Sequence, residues 1–315
     1  MNLIKWFKNY KNALFLTFKI AVVMAAFGFI FSQLRNNKQL DWVQFAEQFK
    51  TKNLTIELFL MLFLSVANRF LEILKWQNLV ESIQKISLFE ATKQVLAALT
   101  LGIFTPNGIG EYAGKALYFD KSQTKNVVFL NLICNGIQMV LSVFFGLIGL
   151  VCFNLKFHFL KDESVIMFFL ILLILVSILF MIKNKTVAGF SIHKFYLKMM
   201  LLPKKIHFKN VLLGTARYLV FSHQYYFLFV VFGVQLPYLM IMAAITSVYF
   251  LASALPTFQF LDFAVKGSVA VFFFNYLGIN QWIVVFVSTL MWFFNVVLPV
   301  IFGCYFVLTF KTEKK

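Results

Sequence analysis

LGIFTPNGIGEYAGKALYF, residues 101–119, breaks an apolar run with a turn and then sets an acid and a base inside apolar surroundings. Pro106 has no backbone donor and biases Thr105 away from the helical region, while Gly108 and Gly110 admit backbone angles closed to other residues. The spacing predicts a helix that stops near Phe104 and a second that starts near Ile109. The second carries Glu111 and Lys115 four residues apart, on one face. A broken helix with ionisable residues is tolerated at membrane depth only where it is buried in protein or lines a watered cavity, so such a break points to a binding site.

The rest of the chain supplies the membrane setting. Of 315 residues, 61% are hydrophobic and 13% charged, and the mean hydropathy is +0.83, which excludes an ordinary soluble domain. We expect an all-α polytopic membrane protein, one membrane domain over residues 1–315, with no soluble domain. The formal charge of +17 rests on 26 Lys and 3 Arg against 12 acids. In a soluble chain it would point to nucleic acid; here it reads as positive-inside topology and contact with anionic lipid. Cys134, Cys152 and Cys304 lie in or at the ends of apolar stretches without metal-ligand spacing, so neither a disulfide framework nor a zinc site is expected. The 43 Phe are read as packing and lipid-facing residues rather than as aromatic sites.

Outward from the quoted stretch, spans are expected near residues 13–33, 54–74, 127–153, 164–182, 211–234 and 281–308. The first is read as a retained span, not a cleaved leader, and Lys19 lies close enough to its start to snorkel back to the interface. Residues 41–50, DWVQFAEQFK, read as a short helix on the outer surface. The segment 183–210 holds seven lysines and no acid, which puts it, both termini and the inner ends of the spans in the cytoplasm. Two apolar arms, 89–104 and 111–119, flank the TPNGIG break; two more, 237–255 and 263–277, flank LPTFQFLD. Arms of about 15 residues fall short of the roughly 20 a crossing needs, so each pair reads as re-entrant.

The halves 1–155 and 156–315 match at a nearly constant offset: Pro106 with Pro256 at 150, Glu111 with Asp262 and Lys115 with Lys266 at 151. With three crossings in each half, an odd number, the halves must be inverted relative to one another, an architecture in which paired broken helices meet near the midplane.

Candidate binding residues each carry a plain reading beside the functional one. Glu111 with Lys115 and Asp262 with Lys266 are ion pairs that relieve an insertion penalty of about 2.5–3.5 kcal/mol per charge, or a cavity lining in which lysines take a phosphate and acids an ammonium. Arg69 and Arg217, rare for their type, are snorkelling anchors or bidentate phosphate ligands. His223 is a proton relay or substrate contact, or a histidine satisfied within the bundle. Asn131, Asn135 and Gln138 share one helical face and look toward protein or water. No nucleophile–base set, phosphate-cradling loop or metal cluster is legible, so no enzyme and no cofactor is expected.

TPNGIGEYAGK and the later ALPTFQFLDFAVKGS resemble the family of the lysylphosphatidylglycerol synthase transmembrane region, the flippase-like half of bifunctional bacterial proteins. The resemblance extends over nearly the whole chain. It maps the first motif onto Pro106, Gly108, Gly110, Glu111 and Lys115, and the second onto Pro256 and Asp262, with Phe258, Gln259 and Phe260 where the family commonly has glycine. It implies a translocator of anionic or aminoacylated lipids in the bacterial inner membrane, without the family's cytosolic aminoacyl-transferase domain. The other reading is a non-catalytic subunit that docks a separate synthetase or glycosyltransferase through the lysine-rich segment.

Overall fold

The structure, a computed structural model, describes residues 55–103, 105, 108–161, 163, 167, 170, 177, 191–254 and 262–310; for residues 55, 262 and 263 it describes the backbone alone. The expected first span, the surface helix at 41–50, Pro106, most of the fourth span and the LPTFQF break with Pro256 lie outside the described residues.

Helices and turns make up the described chain, with no strand among the described residues. In order they are α1 (Thr55–Val80), α2 (Leu88–Gly102), α3 (Ile109–Ala116), a 3₁₀ turn (Lys121–Gln123) running into α4 (Thr124–Phe157), α5 (Ile192–Met200), α6 (Lys204–Val231), α7 (Tyr238–Ala254), α8 (Asp262–Tyr276) and α9 (Gln281–Trp292). A π-helical turn (Phe293–Val297) then leads into α10 (Leu298–Thr309). Among the described residues two helical stretches, Lys121–Phe157 and Gln281–Thr309, are long and apolar enough to cross a membrane, and Tyr238–Ala254 is a shorter apolar helix. The sequence α1–α2–α3–α4, long, short, short, long, recurs as α6–α7–α8–α9/α10. The lysine-rich segment is not simply a loop: α5 and the first turns of α6 form within it.

The break at 103–108 is held locally. Ser87 and Glu90 start α2 with a reciprocal capping box. At its far end, Thr105 Oγ1 donates to the Gly102 carbonyl at 2.8 Å and accepts the Gly110 N–H at 2.7 Å, so one hydroxyl ties the end of α2 to the start of α3. Gly108, at φ 68°, caps α3 in the left-handed region, where a side chain would strain the backbone. With 15 residues, α2 is about 22 Å long at 1.5 Å per residue, short of a bilayer's hydrocarbon thickness.

The packing crosses between the two sets of helices. α1 packs chiefly on α6, α4 on α7, and α10 on α2. Glycines set the close approaches in the last two seams. A Cβ on Gly149 of α4 would come within 2.8 Å of the Ala243 carbonyl and collide with Thr246 of α7; one on Gly303 of α10 would collide with Thr100 and the Leu96 carbonyl of α2. An aromatic core including Phe153, Tyr225, Phe229, Phe273, Phe274 and Phe286 fills one side. A smaller core around Trp76, Leu79, Val95, Val127 and Leu130 fills the other.

Gly303→Val and Gly149→Val are expected to lower stability by about 1–3 kcal/mol each through overpacking. Gly136→Ala, where nothing lies within 4 Å, should leave it unchanged or raise it by up to about 1 kcal/mol. Thermal unfolding of the detergent-purified variants reads the difference.

Candidate functional site

Beside the aromatic core, which lends it Tyr225, Tyr249 and Met291, lies a cavity of about 400 Å³. Every described helix except α5 and α10 contributes to its wall. Arg69 and Glu72 come from α1, Glu111 from α3, Asn135 and Gln138 from α4, Arg217 from α6, and Lys266 from α8; Tyr225, Tyr249, Met291 and Trp292 supply apolar and aromatic surface.

The polar half of the wall is built on Glu72. Its Oε2 lies 2.9 Å from Lys75 Nζ and 3.0 Å from Arg217 Nη1, and its Oε1 accepts from the Cys134 thiol at 3.5 Å. Arg217 Nη1 also donates to Gln138 Oε1 at 3.3 Å. A carboxylate buried at this depth stands only with cations beside it, and here it has two.

Arg69 is positioned by a backbone defect. Its Nη2 donates to the carbonyl of Asn295 at 2.7 Å, a carbonyl that in an α-helix would bond the N–H of residue 299. Residue 299 is proline, which has no N–H. In the π register, Phe294 loses the same donor, and its carbonyl accepts from Ser65 Oγ instead. Pro299 therefore leaves two carbonyls exposed on the inner face, and α1 supplies both donors. The Asn295 side chain completes the join, accepting from Asn68 Nδ2 at 2.7 Å and donating to Gln224 Oε1 at 2.9 Å. A single helical turn of irregular register thus fixes Arg69 at the cavity and ties α1 to α6. Short π segments recur at functional sites for this reason.

Of the residues singled out from sequence, the structure brings Arg69, Glu111, Arg217 and Lys266 to one cavity, with Asn135 and Gln138 beside them. The Glu111 side chain crosses over Gly102, where an added Cβ would stand 2.5 Å from Glu111 Cγ. Gly108 and Gly110 shape the turn that carries it and do not line the cavity. Lys115 differs from expectation: it turns away from the cavity, fully buried, donating to Asn131 Oδ1 at 2.6 Å with its ammonium 4.4 Å above the Trp76 ring. Its long chain reaches a better-sheltered acceptor than the open cavity offers. His223 is also outside. Its Nδ1 donates to the Leu219 carbonyl at 2.8 Å and its Nε2 accepts from the Tyr238 hydroxyl at 2.8 Å, so it is satisfied within the bundle. Pro106 and the Asp262 side chain lie outside the described residues.

Glu72, Lys75, Asn68, Gln224 and Asn295 were not singled out as site residues. The usable signal for Asn295 was a proline four positions later in an apolar helix. Among the described residues no cluster of three or more His, Cys, Asp or Glu could hold a metal ion.

No model of a known protein family matches the chain, and searches among curated proteins and solved structures find none similar to it.

Asn295→Leu is expected to cost about 1–3 kcal/mol, because it strands the buried amides of Asn68 and Gln224. Thermal unfolding in detergent measures the loss.

Proposed function

We propose that the chain is a polytopic membrane protein with an inverted repeat, and that it moves phospholipids or modified lipids between leaflets by alternating access at the central cavity. The observation that carries this reading is the cavity wall: three cations (Arg69, Arg217, Lys266) and two carboxylates (Glu72, Glu111) converge within apolar helices. Cations of that kind take a phosphodiester, the guanidinium groups bidentately, and Glu111 suits an amine on the same headgroup.

The surface supports the membrane part. Large apolar side chains stand exposed on α1 (Ile56, Phe59, Val66), α4 (Val140, Phe144) and α10 (Phe302), while Glu72, Lys75, Lys115 and Asn131 are buried. Such an inside-out distribution suits lipid as solvent. The doubled helix order supports the repeat, as do the matched seams: α4 of the first half on α7 of the second, and α10 of the second on α2 of the first. Exchange of the halves carries one seam into the other. In a broken-helix transporter the site lies where the two repeats meet, and Glu111 and Lys266 come from corresponding arms. The resemblance of residues 105–115 to the lysylphosphatidylglycerol synthase transmembrane region agrees with this assignment.

In liposomes carrying fluorescent phospholipids, the purified protein should speed leaflet exchange above that of protein-free vesicles. Glu111→Ala and Lys266→Ala should each slow it roughly ten- to a hundredfold, the effect of losing one charge-assisted contact. Unchanged exchange in both variants would remove the proposed site. No exchange by the unmodified protein with anionic, zwitterionic or aminoacylated lipid would remove translocation itself.

A further inference from the structure

A cavity that takes anions must keep its cations compensated while it is empty. Here one oxygen, Glu72 Oε2, serves two cations of unequal access. The Arg217 side chain is 22% exposed and belongs to the cavity wall. The Lys75 side chain is 0% exposed and stands behind the wall; among the described residues its ammonium is paired with Glu72 alone.

We propose that Glu72 is a resident counter-anion: it holds Arg217 in the empty cavity, yields it to the phosphate group of an arriving ligand, and is kept compensated by Lys75 while Arg217 is engaged. This rests on the anionic-headgroup reading and adds to it the residue that makes the site reversible. Without Lys75, Arg217 could turn to a ligand only by leaving a buried carboxylate with no cation in contact among the described residues, which is unfavourable. With Lys75 in place, the step exchanges one oxyanion for another at a single guanidinium. Before exchange, two cations share one carboxylate; afterwards, Lys75 keeps the carboxylate and Arg217 faces a singly charged phosphodiester. Every charge has a partner in both states. Lys75 is therefore a positioning residue, acting on the ligand through Glu72 and Arg217.

The test is calorimetric binding to the detergent-purified full chain, with two probes: glycerol phosphate, which is soluble, and dihexanoyl phosphatidylglycerol, which carries short tails. Lys75→Met leaves Glu72 dependent on Arg217 and should weaken anion binding roughly tenfold. The double variant Glu72→Gln/Lys75→Met removes one charge of each sign and frees Arg217. It should bind roughly tenfold more tightly than the unmodified protein. An effect of net charge alone would leave the double variant unchanged, and loss of a structural strut would weaken it, so either result overturns the proposal. Should Lys75→Met not fold, the double variant carries the test by itself. If the unmodified protein binds neither probe, both the exchange and the translocator reading fall. If it binds them but the variants do not differ in the stated order, the exchange alone falls. The stated order with glycerol phosphate and no response to the lipid would support the exchange while assigning it to free phosphate esters.

Discussion

A carboxylate withdrawn from water has to be answered by charge, and the answer given to Glu72 organises this molecule. Lys75 lies one helical turn further along α1, but Arg217 belongs to α6. The ion contact therefore specifies which helices must meet and at what depth. Buried ion pairs add little net stability compared with apolar packing of equal volume, yet removing one partner is severe. That asymmetry makes them poor glue and good registration marks. The hydrogen bonds of Arg69, Asn68 and Gln224 to the π turn repeat the lesson with neutral groups. Two unrelated sets of polar contacts agree on one alignment of α1 with α6 and the π turn.

Elsewhere the packing asks little of side-chain chemistry. The α4–α7 and α10–α2 seams rely on the absence of a side chain at Gly149 and Gly303, which lets the backbones approach closely. The aromatic core around Phe229 and Phe274, with ring centroids 4.2 Å apart, joins side chains of α4, α6, α7, α8 and α9. Specificity sits in the polar interior, while closeness comes from small residues.

How far the sequence could be read follows from the range over which each residue acts. Pro106, Gly108 and Gly110 act on their own backbone, so the α2–α3 break was legible to within two residues at each edge. Long apolar runs with lysines at their ends marked α4, α6 and α9/α10, although α1 and α6 extend further than apolar content alone implied, because helical hydrogen bonding continues past the apolar limit. Arg69 and Arg217 stood out by rarity, and both line the cavity. Lys115 was misleading because i, i+4 spacing describes where Cα atoms lie, whereas a four-carbon chain goes to whichever acceptor its neighbours offer, here Asn131. Glu72 and its partner Arg217 are 145 positions apart, and no local pattern connects them. Asn295 was hidden for the same reason.

That separation has a consequence for how the protein is made. Asn68 meets Asn295 across 227 positions, and Ser65 meets Phe294 across 229. While the chain is being synthesised, α1 is complete long before the π turn exists. In a membrane, its asparagine, serine and arginine would wait without their native acceptors until nearly the last helix arrives. Assembly of the interior is then a late, all-at-once event rather than a progressive one, with the newest segment of chain supplying the acceptors that the oldest described helix has awaited. A truncation that removes the π turn would in consequence be felt at α1, at the opposite end of the described chain.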